Sequence, residues 1–479
     1  MNMKLSKPTT YRIFLAAILL VSLGLRLALT FQGGQFFNPD EYRYLYSRVA
    51  AHYFDERGPK PAVRELTRDA AHQGFKVLGF IPALVEVKRG ENPIIPALFF
   101  GMFSWINIFL TWILARKLGS SEAEALIAAF LVATSNALFY YSNHIFPFDA
   151  AITFGMLALY AGLHGEFSAW RSVLTGMLSF AVFYTYNGYW MLAAYALFVH
   201  VIFSVQPFTR VLIKAVFAGL GFFASLFAVA WVASYFGHNL LRRYLVFSRS
   251  IKNGIFSDGG ILPFAYLWET ERIIFILWLA LTVYAIFLLA TDRSPRILIW
   301  VGAILFLYTS LAIPSVVLHK FVVYGRTIRL LVPFLVLASA FSLGKIQDNS
   351  LWGDTLVLII LLTVLVQAGA NFRKVFLITY PADFALQAHE RYPDFKPPRN
   401  MTYYYTPNMI KVGPYKAYYI KYISTIQLTI ESIDGEILMS AEHPLSSFPP
   451  FRYEEAFTLE EKFAFPKAFS RMVLVRPNE

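Results

Sequence analysis

The chain has 479 residues, of which 57% are hydrophobic and only 15% are charged. Soluble globular proteins carry about 25% charged residues, so most of this chain is not expected to face water. The absence of Cys excludes disulfides, thiolate zinc sites and Cys nucleophiles. The net charge of +12 comes without a basic-aromatic module, so it is attributed to Lys and Arg at a cytoplasmic membrane face rather than to nucleic-acid binding.

Apolar stretches long enough to cross a bilayer, about 20 residues, recur along the chain. The first follows Lys4 and Lys7 and is interpreted as a membrane helix with a cytoplasmic N-terminus, not as a cleaved signal peptide. The sequence predicts about eleven spans, at 11–31, 94–115, 121–142, 146–164, 171–187, 189–205, 211–236, 272–290, 296–314, 328–344 and 351–370.

The short loops give the predicted orientation. Alternate turns carry Lys or Arg, among them Arg171 and Arg210, as cytoplasmic loops do under the positive-inside rule. Three longer segments, 32–93, 236–271 and 371–479, are then predicted to lie outside. The active site and the C-terminus are therefore expected to be extracytoplasmic.

The predicted fold class is an all-α polytopic membrane protein with interfacial helices in the first external loop. Its transmembrane domain covers residues 1–370, and residues 371–479 form a small C-terminal α+β extracytoplasmic domain. Alternation of apolar and polar residues predicts a strand at Thr425–Ile430. A short helix is predicted near Glu454–Phe463.

An acidic pair follows the first span directly. Asn38 is a suitable helix N-cap and Pro39 suits the first helical position, which puts Asp40 and Glu41 in the first turn of a helix. Apolar residues recur downstream at helical spacing, as in a helix lying in the membrane interface. Acids also favour helix N-termini through the macrodipole alone. Their position at the water–membrane boundary favours a catalytic role instead.

Other polar residues stand at the predicted outer ends of spans. Asp149 opens the fourth span five residues after His144, and an ionisable residue among apolar ones is a functional candidate by default. His144, Tyr186 and Asn187 suit weak contacts to a sugar or acceptor, although an aromatic belt at Tyr186 and Asn187 would have the same composition.

A basic cluster precedes the tenth span, at His319, Lys320, Arg326 and Arg329. On the predicted topology it lies outside, against the positive-inside trend. The arginines could simply anchor the helix by snorkelling.

These motifs together resemble the GT-C superfamily of membrane glycosyltransferases, which includes protein O-mannosyltransferases and the aminoarabinose transferase of lipid A. The Pro39-Asp40-Glu41 stretch is similar to the first-loop motif of that superfamily, and Phe148-Asp149 to its second acidic position. His319-Lys320 and the Arg329-Leu-Leu-Val-Pro333 stretch are similar to a late-helix pattern of several members.

The resemblance implies transfer of a sugar from a polyprenyl-phosphate donor to a lipid, glycan or protein acceptor, with inversion, in a bacterial inner membrane. Asp40 is then the expected base, with Glu41 second. Asp149 would orient the acceptor or share a divalent metal with Asp40, and these carboxylates together with His144 could ligate it. Whether a metal is bound stays open. The basic cluster at 319–329 would bind the donor phosphate.

Two other readings remain open. A secondary transporter or flippase for a polar or lipid-linked substrate is the main alternative, but its ionisable residues would gather near the bilayer midplane and not at outer ends. A lipid-linked glycan polymerase or ligase is the second, but it would lack the acidic pair directly after the first span.

Overall fold

The computed structural model describes residues 7–32, 43–68, 72–90, 92, 94–164, 166–203, 207–250, 259–291, 294–320, 323, 325–349 and 352–372, together with five strands near the C-terminus. Eighteen helices cover most of these residues. They are α1 (Lys7–Gln32), α2 (Tyr44–Arg57), α3 (Pro59–Leu66), α4 (Gln73–Arg89), α5 (Ile94–Lys117), α6 (Glu122–Thr134), α7 (Asn136–Phe139), α8 (Phe148–Gly162), α9 (Ala169–Thr185), α10 (Trp190–Ile202), α11 (Phe208–Tyr235), α12 (Leu240–Ser250), α13 (Leu262–Glu271), α14 (Ile273–Leu288), α15 (Pro295–Ala312), α16 (Gly325–Ile328), α17 (Val332–Asn349) and α18 (Gly353–Asn371).

Each of the predicted spans coincides with a helix or a broken helix. Within the described residues, six helices are long and apolar enough to cross a membrane, and the bent pair of α6 and α7 would make a seventh. Three shorter apolar helices are Phe148–Gly162, Asn187–Ile202 and Ile273–Leu288. The chain is therefore an integral membrane protein, as predicted, while the number of eleven crossings stays a prediction.

The central helix of the bundle is α17. Within the span Gly325–Asp348, every residue of the 18-residue apolar window is buried inside the protein, whereas only 11% of the corresponding window of Phe208–Tyr235 is buried. Helix α17 packs against α6, α14 and α15, and α11 presents Phe223, Phe227 and Trp231 outward. A side chain at the start of α17 is consequently held by protein on every side, while α11 offers an apolar face suited to lipid.

Small residues let the peripheral helices approach closely. A Cβ atom on Gly176 of α9 would collide with the backbone of Ala218 in α11, and one on Gly221 would collide with the backbone of Val173. Close backbone approach through glycine is a common way for membrane helices to pack, because apolar side chains gain little over lipid. This contact fixes α11 to the bundle through α9.

The first loop is a helical layer, α2 to α4, that packs on α5 and α9. Its centre holds Glu86, which lies 3.5 Å from Arg48 and accepts a 2.6 Å hydrogen bond from the Tyr44 hydroxyl. Both charged side chains are fully buried. The helix predicted after the acidic pair is confirmed from Tyr44 onward. Its buried face is set by packing against α4 and includes Arg48. The apolar residues at helical spacing did not predict that Arg48 would be buried.

The chain after residue 372 contributes five strands, β1 (Tyr404–Tyr405), β2 (Asn408–Met409), β3 (Ile437–Ser440), β4 (Tyr453–Glu460) and β5 (Arg471–Pro477). They form one sheet in the order β2-β1-β3-β5-β4. The predicted strand at 425–430 lies outside the described residues.

The helix predicted near Glu454–Phe463 is wrong over the part that the structure describes, where β4 pairs antiparallel with β5. A register shift between Glu455 and Phe457 marks a bulge in this ladder. Glu, Ala and Leu favour helix locally, but pairing with the Val- and Leu-rich strand β5 outweighs that preference, as tertiary context often does.

The predicted orientation can be tested because the chain has no Cys. Asp55 on α2 and Arg210 on α11 are both exposed, so single Asp55→Cys and Arg210→Cys variants should fold normally. A membrane-impermeant maleimide should label Asp55→Cys on intact cells and Arg210→Cys only after permeabilisation. Labelling of both variants, or of Arg210→Cys alone, in intact cells would overturn the predicted orientation.

Candidate active site

A buried ion pair joins two of the residues singled out in the sequence. Asp149 lies in the first turn of α8, and Arg329 lies in the 3-10 turn that leads into α17. Arg329 Nη2 is 2.7 Å from Asp149 Oδ1, and the two side chains are 0% and 6% exposed. The fold therefore brings together a negatively charged and a positively charged side chain that are 180 residues apart in the chain.

Arg329 retains hydrogen-bonding capacity after this pairing. Its Nη2 also donates to the carbonyl oxygen of Leu138 at 3.1 Å, and its guanidinium lies over the ring of Tyr141 at 4.7 Å. Among the residues that the structure describes, its Nε and Nη1 atoms have no hydrogen-bond partner, and both are buried. A buried donor left unpaired costs about 1–3 kcal/mol, so an anion that accepts from these two atoms would be stabilised there.

A second buried guanidinium, that of Arg26, lies in the same region. Arg26 is 3% exposed and interacts electrostatically with both Asp149 and Arg329. Its Nε donates to Ser104 Oγ at 3.1 Å, while its Nη2 is buried without a hydrogen-bond partner. The sequence analysis missed Arg26, although a charged residue inside the apolar stretch 11–31 was a signal in itself.

Aromatic rings connect this pair to the first loop. The Tyr186 ring stacks on His72 at 4.7 Å and meets Tyr189 edge-on at 4.8 Å. The Tyr189 hydroxyl donates to the carbonyl oxygen of Arg326 at 2.5 Å. Asn187 Oδ1 accepts the backbone N–H of His72 at 3.0 Å. The predicted contact residues Tyr186 and Asn187 therefore lie between the first loop and the Arg329 segment.

His72 and Lys76 also lie at this junction and were not predicted from the sequence. His72 adopts a left-handed backbone conformation, with φ of 50°. Burial lowers the pKa of His72 well below its usual value, and the neighbouring charges of Arg43 and Lys76 lower it further. The ring is therefore neutral at pH 7. Lys76 is buried, with its ammonium group 5.1 Å from the centre of the Tyr46 ring.

The remaining predicted contacts are divided between the interior and the surface. His144 is buried, with its ring 5.4 Å from that of Phe146. Arg326 is half-buried, whereas His319 and Lys320 are exposed. Within the described residues, no contact joins His319 or Lys320 to the Asp149–Arg329 pair, so only the second half of the predicted basic cluster lies beside it.

Asp40 and Glu41 lie outside the described residues, and their catalytic role stays a prediction. Arg43, three residues after Asp40, begins the described part of the first loop. Among the residues that the structure describes, no group of three or more His, Asp or Glu side chains could hold a metal ion. The Asp149 carboxylate is committed to Arg329, so the pairing with His144 considered as a metal site would first require that ion pair to open.

A buried carboxylate, Glu271, holds the helix break beneath Arg329. The chain bends by 59° between α6 and α7, which frees backbone N–H groups at the start of α7. Glu271 accepts from Ser135 Oγ at 2.6 Å, Ala137 N at 2.8 Å and Asn136 N at 3.2 Å. This is the stabilising position for a negative charge at a helix N-terminus. The break sets the direction of α7, which carries the Leu138 carbonyl to Arg329.

Comparison with solved structures gives a match along nearly the whole chain. ArnT from Cupriavidus metallidurans, in a crystal structure bound to undecaprenyl phosphate, matches with a TM-score of 0.55 and 11% identity over 96% of this chain and 97% of that chain. The oligosaccharyltransferase of Archaeoglobus fulgidus, crystallised with zinc and sulfate, matches with a TM-score of 0.45 and 13% identity over 74% of this chain and 52% of its own. No protein-family model and no curated protein sequence matches.

This chain therefore has the same fold as ArnT, since the match spans both chains almost completely. The GT-C resemblance inferred from the motifs is confirmed at the level of the fold. An identity of 11% does not carry residue roles or substrates from one chain to the other.

Replacing Glu271 should destabilise the helix break. Glu271→Ala removes the acceptor of three hydrogen bonds and leaves buried N–H groups unpaired, so we expect a loss of at least about 2 kcal/mol. Thermal unfolding in detergent, followed by intrinsic fluorescence, measures it.

Glu269→Ala is the matched control, because Glu269 lies two residues earlier and forms a partly exposed pair with Arg272 at 3.3 Å. It should change the melting temperature little. Equal melting temperatures for Glu271→Ala and Glu269→Ala would contradict the assigned role of Glu271.

Proposed function

We propose that this protein is a glycosyltransferase that moves a sugar from a polyprenyl-phosphate donor to an acceptor on the extracytoplasmic side of the membrane. The observation that carries the proposal is the buried Arg329, paired on one edge with Asp149 and open at Nε and Nη1. A transferase of this kind needs a fixed positive charge where the leaving phosphate develops its own negative charge.

Arg329 suits the donor phosphate because a guanidinium offers several N–H groups in a planar fork that matches phosphate oxygens. Asp149 holds that fork from one side, and the Leu138 carbonyl and the Tyr141 ring hold it from two others. The guanidinium of Arg329 is therefore already oriented by protein groups. Arg26, with its own buried unpartnered Nη2, supplies a second charge to the same region.

In this proposal Asp40 is the base, and Glu41 is the second candidate. The Asp40 carboxylate takes the proton of the acceptor hydroxyl as that oxygen bonds to the anomeric carbon. The bond from the anomeric carbon to the phosphate oxygen breaks at the same time, and its electron pair leaves on the phosphate beside Arg329. One displacement from the opposite face inverts the anomeric centre.

Asp149 acts differently from the first-loop acids. Because its carboxylate is buried and bonded to Arg329 at 2.7 Å, we assign it the positioning of the guanidinium and not proton transfer. Its removal would leave Arg329 buried without a counter-charge, which is strongly destabilising.

The shared fold supports the donor class, since ArnT was crystallised with undecaprenyl phosphate. Tyr186 and Tyr189 are buried and, with His72, link the first loop to Arg326, so their proposed role is to support the sugar site from behind. The acceptor is a lipid, glycan or protein in this proposal. Lys320 and His319 are exposed, and their proposed role is limited to the approach of the donor headgroup.

Asp40→Asn should abolish transfer, because an amide cannot accept the proton. Cells lacking the gene and complemented with each variant would be compared by mass spectrometry of the envelope glycans and glycolipids. Wild type should restore the lost sugar, and Asp40→Asn should restore less than about 1% of it, as expected for removal of a general base.

Asp55→Asn is the matched control, because Asp55 lies exposed near the end of α2. It should restore the sugar fully at equal expression. Restoration by Asp40→Asn to the level of Asp55→Asn would show that Asp40 is not the base.

Arg329→Lys should mainly weaken donor binding, since Lys keeps the charge but loses the planar fork. Binding of undecaprenyl phosphate to the purified protein should fall about tenfold, equivalent to ~1.4 kcal/mol. Arg296→Lys is the control. Arg296 is also paired with a buried acid, Glu124, at 3.0 Å, but it lies in the first turn of α15 and not at the proposed phosphate site. Unchanged binding by Arg329→Lys, or an equal loss in both variants, would remove Arg329 from the proposed phosphate site.

A further inference from the structure

A cavity of about 400 Å³ lies apart from the buried pair, between the first loop and the turn that follows α11. Residues of α2 and α3 form most of its wall, and His238 closes it from the α11 turn. Small-molecule sites generally have volumes of about 300–1,000 Å³. The space therefore suits one small ligand or one headgroup. Its polar and aromatic lining side chains are Tyr53, Arg57, Arg64, Glu65, Arg68 and His238.

The lining is strongly positive. Three arginines face one acid, so the formal excess is two positive charges. Glu65 lies 3.8 Å from Arg68 and balances that charge in part. Arg57 and Arg64 are exposed, and the Arg57 guanidinium lies 5.3 Å from the centre of the Tyr53 ring. Arg57 Nε lies 4.0 Å from Glu56, so the terminal N–H groups of Arg57 and the donors of Arg64 are the ones offered to an incoming anion.

The shape of the cavity is fixed by two segments distant in sequence. Thr67 Oγ1 lies 3.1 Å from His238 Nδ1, a contact across 171 residues. Gly237, with φ of +78°, ends α11 in a conformation that other residues rarely adopt. Behind the arginines, Ala50, Ala62 and Leu66 form a small apolar core with Tyr53 packed against it. The arginines therefore stand on a packed support and not on a loose loop.

His238 adds no charge of its own at neutral pH. Its burial lowers the pKa of His238, and the nearby charges of Arg243, Arg64 and Arg68 lower it further. Arg243 is thus a fourth arginine close to the cavity. The neutral imidazole of His238 lines the cavity and can still form a hydrogen bond with a ligand.

We infer that this cavity is a phosphate-binding site, separate from the buried Arg329 region. Paired guanidinium groups on a supporting surface match the oxygens of a phosphate group, and Tyr53 beside them offers a face for an attached sugar or glycerol. If the protein transfers sugars as proposed above, the site holds the anionic group of the second substrate on the first loop. That role rests on the proposed function, whereas phosphate binding itself does not.

The binding test uses the full-length protein in nanodiscs of phosphatidylcholine, with two probes. Inorganic phosphate is titrated by calorimetry. In a second arm, phosphatidylglycerol is added to the nanodiscs and counted on the protein by native mass spectrometry. Arg57→Gln and Arg64→Gln should each weaken binding about fivefold, as expected for one partly exposed charge contact, and the double variant about 25-fold if the effects add.

Lys60→Gln is the matched control, because Lys60 is an exposed cation on α3 that does not line the cavity. It should leave binding unchanged. Binding of both probes supports a general phosphate site, and binding of the lipid alone supports the same site for a membrane headgroup.

Two outcomes overturn the inference. One is that neither probe binds the wild-type protein, and the other is that Lys60→Gln weakens binding as much as Arg64→Gln does. Neither outcome bears on sugar transfer, because the assay contains no donor and leaves Asp40 unchanged. Conversely, an inactive transferase with intact phosphate binding would refute the proposed function and keep this site.

Discussion

Arg329 and Asp149 sit as opposite charges inside a bundle whose other buried contacts are largely apolar. Removing two ions from water is costly, and their attraction offsets that cost only when the geometry is good and further hydrogen bonds are made. This requirement ties three parts of the chain together. Helix α8 must present Asp149 in its first turn, α17 must begin with Arg329 turned inward, and α7 must bring the Leu138 carbonyl within 3.1 Å.

Irregular backbone gathers around the same pair. The α6–α7 break, the 3-10 turn at Asn187–Tyr189 and the 3-10 turn at Arg329–Leu331 all interrupt helices that would otherwise continue. Non-helical backbone at membrane depth is tolerated where protein surrounds it, and here buried side chains satisfy it. Glu271 bonds the N–H groups at the first break, and Tyr189 bonds the Arg326 carbonyl. The regular helices thus hold the bundle, while their interruptions supply its polar groups.

Hydropathy predicted the positions of the apolar helices well, because span length is set by bilayer thickness and can be counted in the sequence. Asp149 and Arg329 were found for the same reason, as charges beside apolar runs. Glu271 was missed because its role depends on a contact with Ser135, 136 residues away. The residues around Glu271 in the sequence do not indicate that contact. The basic cluster at 319–329 was treated as one unit. Only tertiary packing separates exposed His319 from buried Arg329, and a count of charges in a loop does not contain that information.

Salt should screen the charge of the exposed arginines much more strongly than the charge of the buried Arg329. Arg329 is surrounded by protein, so its field is screened little by salt, and its geometry is set before any ligand arrives. Arg57, with a side chain 65% exposed, is screened within about 8 Å at physiological ionic strength. A group bound at the cavity would therefore be held weakly and exchange readily, as suits a substrate that must enter and leave. A phosphate beside Arg329 would be held in a fixed orientation. This suits the donor, because the bond from its anomeric carbon to the phosphate oxygen must lie in line with the attacking acceptor.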